Sequence, residues 1–174
     1  MIVLGIDPGT AVTGYGVIET SGGPSALRLV ECGVVRTSRR APLAERLNDI
    51  FDGVSELIAR RRPDALAVED VFYARNVRTS LVLGHARGVV LLAGARAKIR
   101  IHEYSPAVVK KAVVGRGGAT KEQVQFMVAR LLRLKTAPQP ADAADGVACA
   151  LTLALSENGS RVRERALTLA ERGR

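Results

Sequence analysis

The sequence predicts an α/β domain: a mixed five-stranded sheet flanked by helices. Three observations carry that expectation. The first 36 residues hold three strand-like segments separated by turn residues. From Leu43 the apolar period changes to that of a helix. Beyond that point apolar runs alternate with helical stripes, as crossovers between parallel strands require.

The elements follow in order. Residues 2–7 are apolar up to Asp7 and read as a buried strand, closed by the turn Pro8-Gly9-Thr10. Residues 12–19 continue as a second strand around Gly14 and Gly16, and Ser21-Gly22-Gly23-Pro24 breaks it. Residues 27–36 make a third, so the opening is an antiparallel meander. Leu43, Leu47, Ile50, Phe51, Val54, Leu57 and Ile58 then mark one face of an amphipathic helix. Arg60-Arg61-Arg62-Pro63 ends it, because cations suit a helix C-terminus and proline stops the chain. A strand over 64–69 and a very apolar helix over 77–96 follow, then a short strand over 98–103. Lys110 and Lys111 lie in a helical patch after Pro106, and Gly115-Arg116-Gly117-Gly118 is a loop. Thr120 to Gln123 has the form of a capping box, opening a stripe of Val124, Met127, Val128, Leu131 and Leu132. Pro138 and Pro140 precede a last helix over about 142–155. Residues 1–157 are expected to form one domain, and the arginine-rich residues 158–174 a loose, disordered tail. The order βββ-α-β-α-β-α-α, with the last helix returning to the end of the first strand, is the organisation of the RNase H-like fold.

Composition narrows the function. The chain has 174 residues, 47% of them hydrophobic, enough for one domain with a sizeable core and against disorder. A net charge of +9 favours a nucleic-acid partner, with an acidic membrane surface second. Only Cys32 and Cys149 occur, which fits a reduced, cytoplasmic protein without a disulfide framework. The start lacks the basic region of a signal peptide, and the longest apolar stretch, Gly88 to Ala95, is too short to cross a bilayer.

Four carboxylates carry the chemistry. Asp7 and Glu69 each end an apolar strand, and Asp142 and Asp145 sit three apart at the start of a helix, on one face. Taken singly, Asp7 could be a turn residue and the Asp142/Asp145 pair ordinary helix-start acids. Together they would repel one another unless a cation compensates, and oxygen ligands suit a hard one. Two Mg²⁺ ions roughly 4 Å apart, one activating water and one stabilising the leaving 3′ oxygen, would hydrolyse a phosphodiester in line. His85 and His102 are isolated and read as ordinary core or surface histidines. Phe72, Tyr73, Arg75, Asn76 and Arg78 follow Glu69, and aromatics interleaved with cations suit base stacking plus phosphate binding.

Five ordered segments resemble the RuvC family of crossover (Holliday) junction endodeoxyribonucleases. They are Gly5-Ile6-Asp7-Pro8-Gly9-Thr10, the stretch Val68 to Asn76, Leu83-Gly84-His85-Ala86-Arg87-Gly88, Lys110 to Gly115, and Ala141-Asp142-Ala143-Ala144-Asp145. The resemblance spans about residues 1–156. It implies a homodimer that binds four-way junction DNA and makes paired nicks in strands of like polarity. It also implies two Mg²⁺ per active site, Mn²⁺ being able to substitute, held by Asp7, Glu69, Asp142 and Asp145. Lys110 and Lys121 match basic positions beside the scissile strand. A branch-migration helicase complex, RuvA and RuvB, is the implied partner. Some members carry His at the position of Asp142. Gly146 stands where Ala is usual, at a small cost in helix propensity, and His85 where Gln is common.

Three other readings stay open on the residues alone. Asp7-Pro8-Gly9-Thr10 also resembles the first phosphate loop of actin-like phosphotransferases, although those need a second domain to clamp ATP. A non-catalytic junction-binding module would explain the charge but not the acids. A shorter RNA-processing nuclease of the same fold is the third.

Overall fold

The computed structural model describes residues 1–21, 27–70 and 77–172, with side chains described as far as Glu157. The elements are β1 (Ile2–Asp7), β2 (Val12–Thr20), β3 (Leu27–Arg36), α1 (Leu43–Arg61), β4 (Ala65–Glu69), α2 (Val77–Arg96), β5 (Arg100–Tyr104), α3 (Pro106–Val114), α4 (Lys121–Leu131) and α5 (Ala141–Arg172). The sheet order is β3-β2-β1-β4-β5. The meander β1-β2-β3 is antiparallel, and α1 and α2 cross over to place β4 and β5 parallel to β1.

Successive strand residues face opposite sides of a sheet, and both faces are covered here. Val3, Ala65 and Ala67 face Val109, Val113, Val124, Val128, Val147 and Leu151 of α3, α4 and α5. Leu4, Ile6, Leu66 and Val68 face Ile50, Val54, Leu57, Ala86 and Val90 of α1 and α2. A strand buried on both faces reads as a continuous apolar run, which is why β1 and β4 were plain in the sequence.

Helix α5 lies directly on the sheet. A Cβ added at Gly5 would meet Ala150 N and Gly146 O at 2.3 Å, and one at Gly14 would meet Asp142 O at 1.8 Å. A Cβ at Gly146 would fall 2.5 Å from Tyr15 Cα. Gly146 is therefore a close-approach residue of the helix–sheet contact in this chain, and not merely a small loss of helix propensity.

The structure differs from the sequence reading in three places. Three helices follow β5, one more than the order given above, because the patch after Pro106 forms its own helix, α3. Strand β5 runs from Arg100, two residues later than expected, after a turn at Lys98. Helix α5, expected to end near residue 155, continues to Arg172. Residues Arg161 to Ala170 are rich in Arg, Glu, Ala and Leu, which favour helix. The break at Gly22-Gly23-Pro24 lies outside the described residues.

Candidate active site

Asp7 is the last residue of β1 and Glu69 the last of β4, one step beyond the paired residues Ile6 and Val68. The two acids thus emerge side by side from adjacent parallel strands. Alternation turns Asp7 to the same face as Val3 and Gly5, and Glu69 to the same face as Ala65 and Ala67, which is the face α5 covers. The bare glycines of β1 and β2 bring the start of α5 to that point. Asp142 lies in its first turn, and Asp145 lies just beyond that turn.

A cavity of about 80 Å³ results, lined by Asp7, Glu69, Asp145, Lys110 and Lys121, with Val109 and Val124 among its apolar walls. The size admits an ion and a few waters. Asp142 does not line it, although its charge acts on Asp7. Burial pushes the Asp7 carboxyl up to about 7; Asp145 and Asp142 add to the rise and Lys121 opposes it. Burial likewise pushes Glu69 up to about 8, helped by Asp7 and Asp145 and opposed by Lys121 and Lys110. Lys121 Nζ donates to Asp145 Oδ2 at 3.0 Å, and that bond raises the lysine above its ordinary value.

The donor set consists of carboxylate oxygens, with Asp7 and Glu69 short of positive charge, and it fits a hard divalent cation. Among the described residues, no three Asp, Glu, His or Cys side chains are drawn tightly enough around one point to hold an ion. Asp145 is instead engaged by Lys121.

The loop behind Asp7 is braced by residues that the sequence gave no reason to single out. Thr13 Oγ1 donates to Gly9 O at 2.7 Å, Thr37 Oγ1 donates to Thr10 O at 2.5 Å, and Arg46 Nε donates to Thr10 O at 3.1 Å. On the opposite face of the sheet, Arg87 of α2 pairs with Asp70 and Glu103, at the ends of β4 and β5. Asp70 N also donates to Tyr104 O, so the strand end that presents Glu69 is held from both strands. These partners are distant in sequence and have no motif.

Arg78 borders a cleft with Thr10 and Thr79, beside the loop that follows Asp7. Phe72, Tyr73, Arg75 and Asn76 lie outside the described residues. His85 is exposed on α2, and His102 stacks with Tyr104 at 6.5 Å; neither lines the cavity. Cys32 and Cys149 are free thiols.

This sheet order, with acids at the ends of two central parallel strands and a terminal helix laid across them, is that of an RNase H-like nuclease. The yeast mitochondrial Holliday junction resolvase shares the fold at 14% identity, with a TM-score of 0.63 over 96% of this chain and 85% of its own. The family model described as crossover junction endodeoxyribonuclease RuvC matches residues 3–153. The RuvC of Heliobacterium modesticaldum is 51% identical over 90% of this chain and 95% of its own length. That of Desulforamulus reducens is 49% identical over 87% and 91%. The RuvC of Thermus thermophilus, solved in complex with Holliday junction substrate, is 41% identical with a TM-score of 0.86, covering 92% of this chain and 96% of its own. The chain belongs to the RuvC family of crossover junction endodeoxyribonucleases. One family thus spans nearly the whole domain, which displaces the phosphotransferase reading of Asp7-Pro8-Gly9-Thr10.

Proposed function

We infer that this chain resolves four-way DNA junctions, in recombination and repair, by paired symmetric nicks made through metal-dependent phosphodiester hydrolysis. The observation that carries this reading is the acid cavity at the ends of β1 and β4, walled by two lysines, in a chain of the RuvC family. Asp7, Glu69, Asp142 and Asp145 would hold Mg²⁺, two ions per site, with Mn²⁺ able to replace them. Bound divalent cations would supply an activated water and charge stabilisation for the leaving 3′ oxygen. The carboxylates fix the cation positions, and the apolar walls of Val109 and Val124 limit bulk water. Lys110 and Lys121 reach the scissile phosphate from α3 and the start of α4. Phe72, Tyr73, Arg75, Asn76 and Arg78 contact the DNA beyond it, the aromatics by stacking on unpaired bases and the cations at phosphates.

Two symmetric nicks need two sites, hence a two-fold dimer. Helix α2 supports that assembly. Leu81 and Leu92 are 62% and 52% exposed, and Gly84 and Gly88 have open space around them. With Leu47 and Val89 they line an apolar groove of about 520 Å³, suited to a second copy of the chain. Sedimentation as a monomer at micromolar concentration would contradict the dimer. Residues 1–157 form the nuclease unit in this reading. It acts in the cytoplasm beside the RuvA–RuvB branch-migration complex, consistent with the absence, among the described residues, of any helix long and apolar enough to cross a membrane.

The test is cleavage of a synthetic four-way junction beside a linear duplex of the same sequence, with and without Mg²⁺. Junction-specific, Mg²⁺-dependent nicks are expected. Equal cutting of the duplex, or cutting in a chelator, would contradict the assignment.

A further inference from the structure

Lys121 and Asp145 form a lopsided pair. The Asp145 side chain is 14% exposed, whereas that of Lys121 is 68% exposed. A carboxylate sheltered to that degree needs a positive partner, while an ammonium group in water does not need the carboxylate. The backbone of Lys121 is fixed, because Thr120 and Gln123 close a capping box at the start of α4. Its four-carbon stem can swing without disturbing the helix. Among the described residues, the Asp7 and Glu69 side chains accept no hydrogen bond and form no ion pair, although they line the same cavity.

We propose that Lys121 is a built-in counter-cation at Asp145, with which a divalent cation must compete to fill the site. The proposal rests on the reading of this cavity as a metal centre. An ammonium bonded to a carboxylate weakens that group's attraction for a divalent ion, since the two like charges repel. The ammonium occupies Asp145 Oδ2, an oxygen that faces the same cavity as Asp7 and Glu69. Lys121 therefore raises the cation concentration needed to fill the site, in addition to any contact it makes with DNA.

The test is titration of the full-length protein with Mg²⁺ alone, followed by calorimetry, with Mn²⁺ as a second probe and no DNA present. Lys121→Met should bind the cation roughly fivefold more tightly, the size of effect expected for an exposed ion pair. Lys121→Arg, which keeps the charge, should stay near the wild-type affinity. Lys111→Met removes the same charge from an exposed position that does not line the cavity, and should leave the affinity unchanged. Thermal unfolding separates competition from damage to the fold. Lys121→Met should melt below wild type without divalent cation, and should regain more than wild type when Mg²⁺ is added. Equal affinity in wild type and Lys121→Met, or equal tightening by Lys111→Met, overturns this inference and leaves the metal centre standing. No cation binding by any of these proteins overturns both.

Discussion

Asp7 and Glu69 are expensive residues to leave charged. In the folded chain their carboxyls sit at about 7 and 8, against 3.8 and 4.5 as ordinary values, because burial and neighbouring acids disfavour ionisation. Between those limits the folded state keeps protons that the unfolded chain has released. The stability that these two groups contribute is then fully present below about pH 4 and is lost as pH rises through about 7 to 8. In divalent-free buffer the melting temperature is expected to fall from about pH 5 to about pH 8.5, and Glu69→Gln should flatten that fall. Mg²⁺ should restore stability mainly at the alkaline end. A wild-type curve that is flat or rising over this range, measured in chelator, would contradict the charge deficit. Phe72 makes a separate test at the same scale. A junction centre offers unstacked bases, and an aromatic ring recovers about 1–3 kcal/mol per stacked base. Phe72→Ala should lower junction nicking strongly and leave the melting temperature and duplex affinity nearly unchanged. Wild-type nicking would remove the stacking role, and a large drop in melting temperature would make Phe72 a packing residue.

At the scale of elements, legibility followed burial and period. Strands β1 and β4 are buried on both faces and read as unbroken apolar runs; α1 and α4 have clean helical stripes, and the capping box at Thr120 was visible in four residues. The crossing of α5 over β1 was foreseen only as topology. How close it comes depends on three-dimensional contacts: Gly5 against Ala150 and Gly146, and Gly146 against Tyr15. Long-range polar partners were illegible for the same reason. Arg60 and Arg61 looked like helix-end cations but also pair with Glu31 of β3, and Thr37 and Arg46 reach back to Thr10. Of the cavity lining, Asp7, Glu69, Asp145, Lys110 and Lys121 are residues that the sequence singles out. The pairing of Lys121 with Asp145, and the position of Asp142 outside the cavity lining, could not. The glycine contact yields a direct prediction. Gly5→Ala would push a Cβ into the backbone of α5, costing about 1–3 kcal/mol or more. It would also move Asp142 and Asp145 away from Asp7, so nicking should fall further than stability alone explains. Unchanged melting and activity would show that the helix does not sit this close to the sheet.

For the whole molecule, binding and chemistry are distributed differently. The net charge of +9 belongs to the entire chain and attracts phosphate wherever DNA lies, so affinity for junction and duplex alike should weaken as salt rises. The chemistry proposed above is confined to one cavity at the ends of two strands, whose carboxylates repel phosphate unless a cation intervenes. Removing one acid should therefore abolish cutting and leave binding intact. The most direct measurement is Mg²⁺-dependent nicking of a four-way junction by Asp7→Asn, Glu69→Gln and Asp145→Asn, with junction affinity determined on the same samples. Loss of nicking in all three at near wild-type affinity is the expected result. Near wild-type nicking by any one of them would contradict the assignment of that carboxylate to the catalytic centre.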